Sequence, residues 1–463
     1  MTLPPIHLVV IHHGLWGNST HMAHIDKLLT LNFPRAVETL NFNGNSFTRT
    51  YDGVDVCAVR LMAAIQARLA DTSRPPVDRI SFIGYSLGGL VVRYAVGILE
   101  ARHMLYPSPA PSPSQPCLLR AVNLITVATP HAGAAWKADN VWGRLYNGAT
   151  SWAVSASGTH ITLTDRDGEF GPTKGAKRPL LDAMADPNLP FWKGLQKFNV
   201  RTTYANTIND RVVGYTTSAL ETSNHYRNPA TRFVVDPQYP SIVRMEMNDR
   251  VVADTTPADA PAASATDADL LDDELDDESM MPTNTNDEVA VMAKAEAEQA
   301  AADETPAASK ISEPTPLETA ALGVTTVAAI SASTALTSPF APRKLLLYVL
   351  APILAPIIII AFLSLYIAAK IRNATEKHHV AGPLADARAH VAAHVAQEKA
   401  HPQPRLHTLA ETRKRIIANL NILPWRKIHV RIESRRSHAA IVARPDFPHN
   451  SDVMAHLVND FQN

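Results

Sequence analysis

Cysteine is nearly absent from this sequence: Cys57 and Cys117 are the only two in 463 residues. Two thiols without metal-ligand spacing give no disulfide framework and no zinc motif, so both read as ordinary cysteines. Net charge is missing as well, with 43 Lys and Arg against 44 Asp and Glu, so no basic field marks a nucleic-acid partner. The opening MTLPPIHLVV has no basic region, and its apolar run HLVVI is too short for a secretory signal, which makes synthesis in the cytosol the expectation. Aromatic residues almost vanish between 251 and 320, where eighteen Asp or Glu face two Lys. Such a segment cannot bury enough apolar area to offset its ordering entropy, and it reads as a disordered acidic spacer.

What is present divides the chain into four expected parts. Residues 1–245 are mixed in composition and read as a globular core; residues 246–340 contain the acidic insert; 341–372 hold a long apolar run; 373–463 form a helical connector and then return to the core. In the first part, HLVVIHHG, DRISFIGYS, AVNLITVATPH and VRTTYANT read as strands. DGVDVCAVRLMAAIQARLA and LGGLVVRYAVGILEARHM read as helices, the former with Val56, Val59, Ala63 and Ala67 on one side. Strands alternating with helices predict an α/β fold built on a mostly parallel sheet flanked by helices. PSPAPSPSQP (107–116) is a proline-rich loop. After the apolar run, KIHVRI predicts a strand with Ile428, Val430 and Ile432 on one face, and SDVMAHLVNDF a helix with Ser451 as N-cap and Val453, Leu457 and Phe461 aligned.

The strongest chemical signal is GYSLG, residues 84–88, set between the strand RISFI and the helix LGGLVVRYAV. A nucleophile elbow needs this context: small residues, here Gly84 and Gly88, allow a sharp turn that lifts the Ser86 hydroxyl out of the sheet. The amide of Leu87, opening the helix, can face an oxyanion. HHGLWGN (12–18) follows the first strand and has the form of the other oxyanion loop, with Gly14 allowing close approach and Leu15 offering a second amide. His13 then shapes the loop instead of acting as the base. A serine nucleophile needs a base and an acid to orient it, in the chain order Ser, acid, His for this fold class. Asp210, shortly after VRTTYANT, fits the acid, with Asp236 in VVDP as the alternative. His438, after the last strand, fits the base; His225 is the rival, and His429 lies inside a strand.

Together HGLWGN, FIGYSLGGLVVRYAVG, TVATPHAG, YANTINDRVVGYTTSA and SHAAIVAR resemble the serine esterase family of fungal and plant lipases, which includes a yeast lipid-droplet phospholipase. The likeness covers residues 6 to about 220 and about 427 to 463. It implies an α/β-hydrolase fold, hydrolysis of acyl esters of lipids such as phospholipid or lysophospholipid, no metal or cofactor, and Ser86, Asp210 and His438 as the catalytic residues. The sequence departs from that pattern at NDRVVGY, where Gly214 stands in place of an expected proline. An acyltransferase would use the same acyl-enzyme, and a catalytically silent membrane adaptor would keep only the fold. Four of the six tryptophans, Trp136, Trp142, Trp152 and Trp192, lie between TPHAG and the acid loop, where the resemblance implies a cap at about 134–195; they suit either an acyl chain or the core of that cap.

The run LLLYVLAPILAPIIIIAFLSLYIAA (345–369) holds fifteen Leu, Ile, Val or Phe and no charge. At roughly −0.3 to −0.6 kcal/mol each for insertion it predicts membrane association. A single straight crossing would put Ser86 and Asp210 on one side and His438 on the other. Pro352 and Pro356 fall within the run, and basic residues flank it at Arg343, Lys344, Lys370 and Arg372, which favours a hairpin with both ends in the cytosol over a single span. The expected location is an endoplasmic reticulum membrane or lipid-droplet monolayer, with the active site facing the cytosol.

Overall fold

The computed structural model describes residues 4–107, 118–134, 155–165, 178–247 apart from Pro229, 250–251, 367, 371, 375, 381–393 and 408–463 apart from 446, 448 and 449. Residues 1–277 and 376–463 make one compact unit, and 278–375 a second. Among the described residues the first unit contains ten strands. These are β1 (Ile6–His12), β2 (Val37–Phe42), β3 (Val77–Tyr85), β4 (Leu105–Pro107), β5 (Leu119–Val127), β6 (Val200–Asn206), β7 (Phe233–Val235), β8 (Ile242–Met247), β9 (Arg250–Val251) and β10 (Arg426–Val430). The main path across the sheet is β2-β1-β3-β5-β6-β10-β8-β7. Pairing is parallel from β2 through β10 and antiparallel from β10 to β8 and from β8 to β7.

The strand sequences explain this order. All seven residues of β1 are buried, as a strand covered on both faces requires. Its side chains alternate: Leu8 and Val10 join one apolar cluster, Val9 and Ile11 the other. The first cluster takes α2 (Val54–Ala70), α3 (Leu87–Ala101) and the α6 helix (Pro190–Gln196); the second takes α1 (Ala23–Asn32) and α10 (Ser451–Asn459). The chain places β2 on one side of β1 and β3 on the other. The connections leaving β1 and β3 therefore run to opposite sides, and the carboxyl ends of these two neighbouring strands flank a topological switch point, the place where open α/β sheets hold ligands.

Between β5 and β6 lie α4 (Ser155–Ile161), α5 (Leu180–Ala183) and α6. After β6 come α7 (Tyr215–Ala219), α8 (Leu409–Asn421) and α9 (Ser437–Ala440), in that order along the chain, before α10. Helix α8 opens on a reciprocal cap: the Glu411 amide donates to Thr408 Oγ1 and the Thr408 amide donates to Glu411 Oε2. Helical residues 381–393 bury Ala387 and Val391, and Arg388 donates to Asp55 Oδ2 at 2.9 Å.

Two expectations change and a third is narrowed. In α2 Val56 and Val59 are buried as expected, alongside Val54, Cys57, Ala58, Leu61 and Ile65, but Ala63 and Ala67 are exposed. Large side chains gain most from burial and so set a helix's rotation, whereas alanine is nearly indifferent. The cap of α10 is Asn450, without a side-chain bond, and Ser451 is already helical. Trp192 belongs to the core: it is buried on α6 and its indole donates to Asn419 O at 2.9 Å. Trp136, Trp142, Trp152, Cys117, loop residues 108–116, nearly all of the acidic insert and most of the apolar run lie outside the described residues. Among the described residues no helix is long and apolar enough to cross a membrane.

Candidate active site

The carboxyl end of β3 turns into α3 at Ser86, whose φ of 53° and ψ of −125° are strained for a residue with a side chain. Two backbone bonds hold it there: the Ser86 amide donates to Val127 O at 2.8 Å, and the Gly89 amide donates to Ser86 O at 3.0 Å. Close approach explains the glycine at position 88. A Cβ on Gly88 would lie 2.4 Å from His12 O and 2.5 Å from His13 O, so only glycine lets the first turn of α3 rest on the exit of β1. Gly84 is constrained in the same way, with a Cβ falling 2.5 Å from Gly89 Cα.

The loop after β1 comes to the serine from the other side of the switch point. A Cβ on Gly14 would sit 2.9 Å from Ser86 Cβ. The Gly17 amide closes a turn on Gly14 O at 3.1 Å, which carries Leu15 and Trp16. His13 donates from Nδ1 to Gly14 O at 3.0 Å, and burial lowers its pKa to about 4, so it stands neutral beneath the loop. His12 is pushed to about 3, chiefly by burial; it donates to His13 O and accepts from Asn45 Nδ2. The Leu87 amide opens a fifteen-residue helix whose dipole is positive at this end.

Asp210 lies on the turn after β6. Its Oδ1 accepts from the amides of Val212 (3.0 Å) and Val213 (2.8 Å), and its Oδ2 accepts from Asn206 Nδ2 (2.9 Å). Burial alone would raise its pKa; the neighbouring His438, the Val213 amide and Asn206 together outweigh that, and the carboxyl is held below its usual range. His438 sits on α9. Its Nδ1 donates to Asp210 Oδ2 at 2.9 Å, and its Nε2 accepts from the Ser86 hydroxyl at 3.0 Å. Asn209 ties the two loops by donating to Glu433 O at 3.0 Å.

The other candidates are engaged elsewhere. Asp236 closes a turn by accepting from the amides of Gln238 and Tyr239. His225 pairs with Ser223 through Nε2, and His429, within β10, pairs with the Tyr215 hydroxyl. Two further residues at the site hold no signature position in any motif of the sequence. Asn206 is the last residue of β6, four positions before the acid it braces; Tyr85, within the elbow, donates its hydroxyl to His438 O at 2.8 Å.

Gly214, the departure from the expected proline, has φ −60° and ψ 150° at the start of α7. Proline fixes φ at about −65°. Gly214→Pro is therefore expected to stabilise the protein by about 0.4–1 kcal/mol through the unfolded chain, read as a raised urea midpoint with unchanged slope.

A mostly parallel sheet with helices on both faces, and a strained serine on the turn from β3 to α3, define an α/β-hydrolase. Residues 4–223 match the family described as Putative serine esterase (DUF676), so the resemblance read from the motifs holds across that span. Similar relatives include Putative lipase C4A8.10 of Schizosaccharomyces pombe, 30% identical over 227 residues, which are 47% of this chain and 26% of the relative. Another is Putative lipase ROG1 of Saccharomyces cerevisiae, 31% identical over 220 residues, covering 46% of this chain and 28% of the relative. The chain thus spans about a quarter of the length of the curated relatives it matches. Among solved structures, phospholipase PlaB from Legionella pneumophila in complex with thio-NAD is similar over 46% of this chain and 40% of its own, at 14% identity and a TM-score of 0.28.

Proposed function

We propose that this chain is a carboxylic ester hydrolase acting on acyl esters of lipids through an acyl-enzyme on Ser86. The observation that carries the reading is the unbroken hydrogen-bonded chain from Ser86 Oγ through His438 to Asp210, at 3.0 and 2.9 Å. Ser86 Oγ attacks the ester carbonyl while His438 Nε2 takes its proton; His438 then returns that proton to the departing alcohol. Asp210 holds the imidazole in the tautomer that accepts at Nε2 and stabilises the imidazolium. The amides of Leu15 and Leu87 receive the oxyanion. Water, activated by the same histidine, releases the acid and restores Ser86.

Lipid as the substrate class is supported by the names of the fungal relatives and by the apolar run at 345–369. That run also supports work at a membrane or lipid-droplet surface, with the active site on the cytosolic side. A fluorophosphonate probe tests the reading. It is expected to label the wild-type chain at Ser86, and Ser86→Ala is expected to remain unlabelled and to lose p-nitrophenyl ester hydrolysis. A wild-type chain that takes no label, or a Ser86→Ala chain that still does, would sink the proposal.

A further inference from the structure

His438 stands on weak local support. Helix α9 is four residues long, and its N-cap makes no side-chain bond. A helix this short leaves its last carbonyls without intrahelical donors, and His438 O is one of these. The Tyr85 hydroxyl supplies a donor, at 2.8 Å across 353 residues of chain. The same phenol ring packs against the imidazole, with centroids 5.1 Å apart and planes inclined by 37°. It also underlies the oxyanion loop, since a Cβ on Gly14 would fall 3.1 Å from Tyr85 Cε1.

Arg444 also holds the phenol. Its Nη2 donates to the Tyr85 oxygen at 3.4 Å, and its Cζ lies 5.5 Å from the ring centroid. Arg444 is buried, and its Nε has no hydrogen-bond partner among the described residues. Because a carbonyl can only accept, the phenol proton is committed to His438 O and the guanidinium must donate to the phenol oxygen. The direction of the chain Arg444 to Tyr85 to His438 is thereby fixed, and each bond polarises the next.

We propose that Tyr85 is a positioning residue, setting the main chain and ring of His438 against Ser86 and registering both to the oxyanion loop. Three segments converge on one rigid ring: the elbow it belongs to, the Gly14 loop and α9. Transfer of a proton from Ser86 to His438 depends on alignment within tenths of an ångström, so loss of the hydroxyl should act on the chemical step and spare substrate binding. The inference rests on the esterase reading above.

Tyr85→Phe in the full chain tests it. The phenyl ring keeps the packing and removes only the hydroxyl. The expected result is a fall of about tenfold in both kcat and the rate of fluorophosphonate labelling, with KM within about twofold of wild type and a melting temperature lower by only a few degrees, because the His438 carbonyl loses its donor. The downfield proton resonance of the His438–Asp210 hydrogen bond should broaden or vanish in this variant. Arg444→Met should give a smaller loss in the same direction. A folded Tyr85→Phe chain labelled at the wild-type rate would overturn the inference while leaving the esterase reading intact. So would a rate loss that only tracks the loss of folded protein. An unlabelled wild-type chain would overturn both.

Discussion

Asp210→Asn is expected to lower kcat for an activated ester by about 10⁴ while leaving the fold and KM nearly unchanged. The reason lies in the directions of four hydrogen bonds. Two amides, those of Val212 and Val213, point at Asp210 Oδ1, so in the variant the carboxamide oxygen must take that place. The carboxamide nitrogen then occupies the Oδ2 position, facing Asn206 Nδ2 and His438 Nδ1, both donors in the wild type. His438 can relieve the clash by moving its proton to Nε2, so that Nδ1 accepts. It then presents an N–H to the Ser86 hydroxyl at the atom that must receive a proton. Geometry survives and the base is lost. Steady-state kinetics with a melting curve decide the matter: a variant within tenfold of wild-type kcat would show that Asp210 does not set the tautomer.

The protein is expected to lose stability on mild acidification, well above the range where carboxylates titrate. His7, His12 and His21 are buried and their pKa values are pushed down to about 3, and that of His13 to about 4, from 6.5 in each case chiefly by burial. These are bases with depressed values, so between pH 6.5 and about 3 the unfolded chain binds protons that the folded chain refuses. Stability therefore falls as pH drops through that window, and above about 6.5 the effect is absent. At pH 5 each group would cost up to about 2 kcal/mol, and the four together amount to a large part of the roughly 5–15 kcal/mol of a typical fold. Asp210, held low, adds a loss only in its own more acidic range. Melting temperature should drop by on the order of 10 °C between pH 7.5 and 5. A flat profile over that interval would mean that these imidazoles take up protons without opening the core.

The residues show how much of this could be read in advance. GYSLG was legible because strand, small-residue turn and helix are all local, and local pattern is what a sequence displays directly. Asp210 and His438 were legible through chain order, since each follows a strand of the parallel set. The antiparallel edge formed by β7 and β8 was not, because FVV and IVRMEM are short and carry charge within or beside them. Nor were the bonds from Asn206 and Tyr85: a contact spanning 353 residues leaves no periodicity behind. Ala63 and Ala67 misled because an exposed alanine and a buried one look alike in a helical pattern. Gly214 is a milder case, since its backbone keeps the proline conformation without the proline.

Strand β10 has a consequence beyond the hydrolase site. It is seated between β6 and β8, with His429 opposite Val243 and Val430 opposite Ile242, so the chain leaves the sheet after β8 and β9 and re-enters it beside β8. Everything between residues 251 and 426 is an excursion from one sheet back to itself. Should any of that excursion enter a bilayer, the number of complete crossings must be even. This parity follows from main-chain pairing alone, and it would hold in a chain from which Ser86, Asp210 and His438 had all been removed.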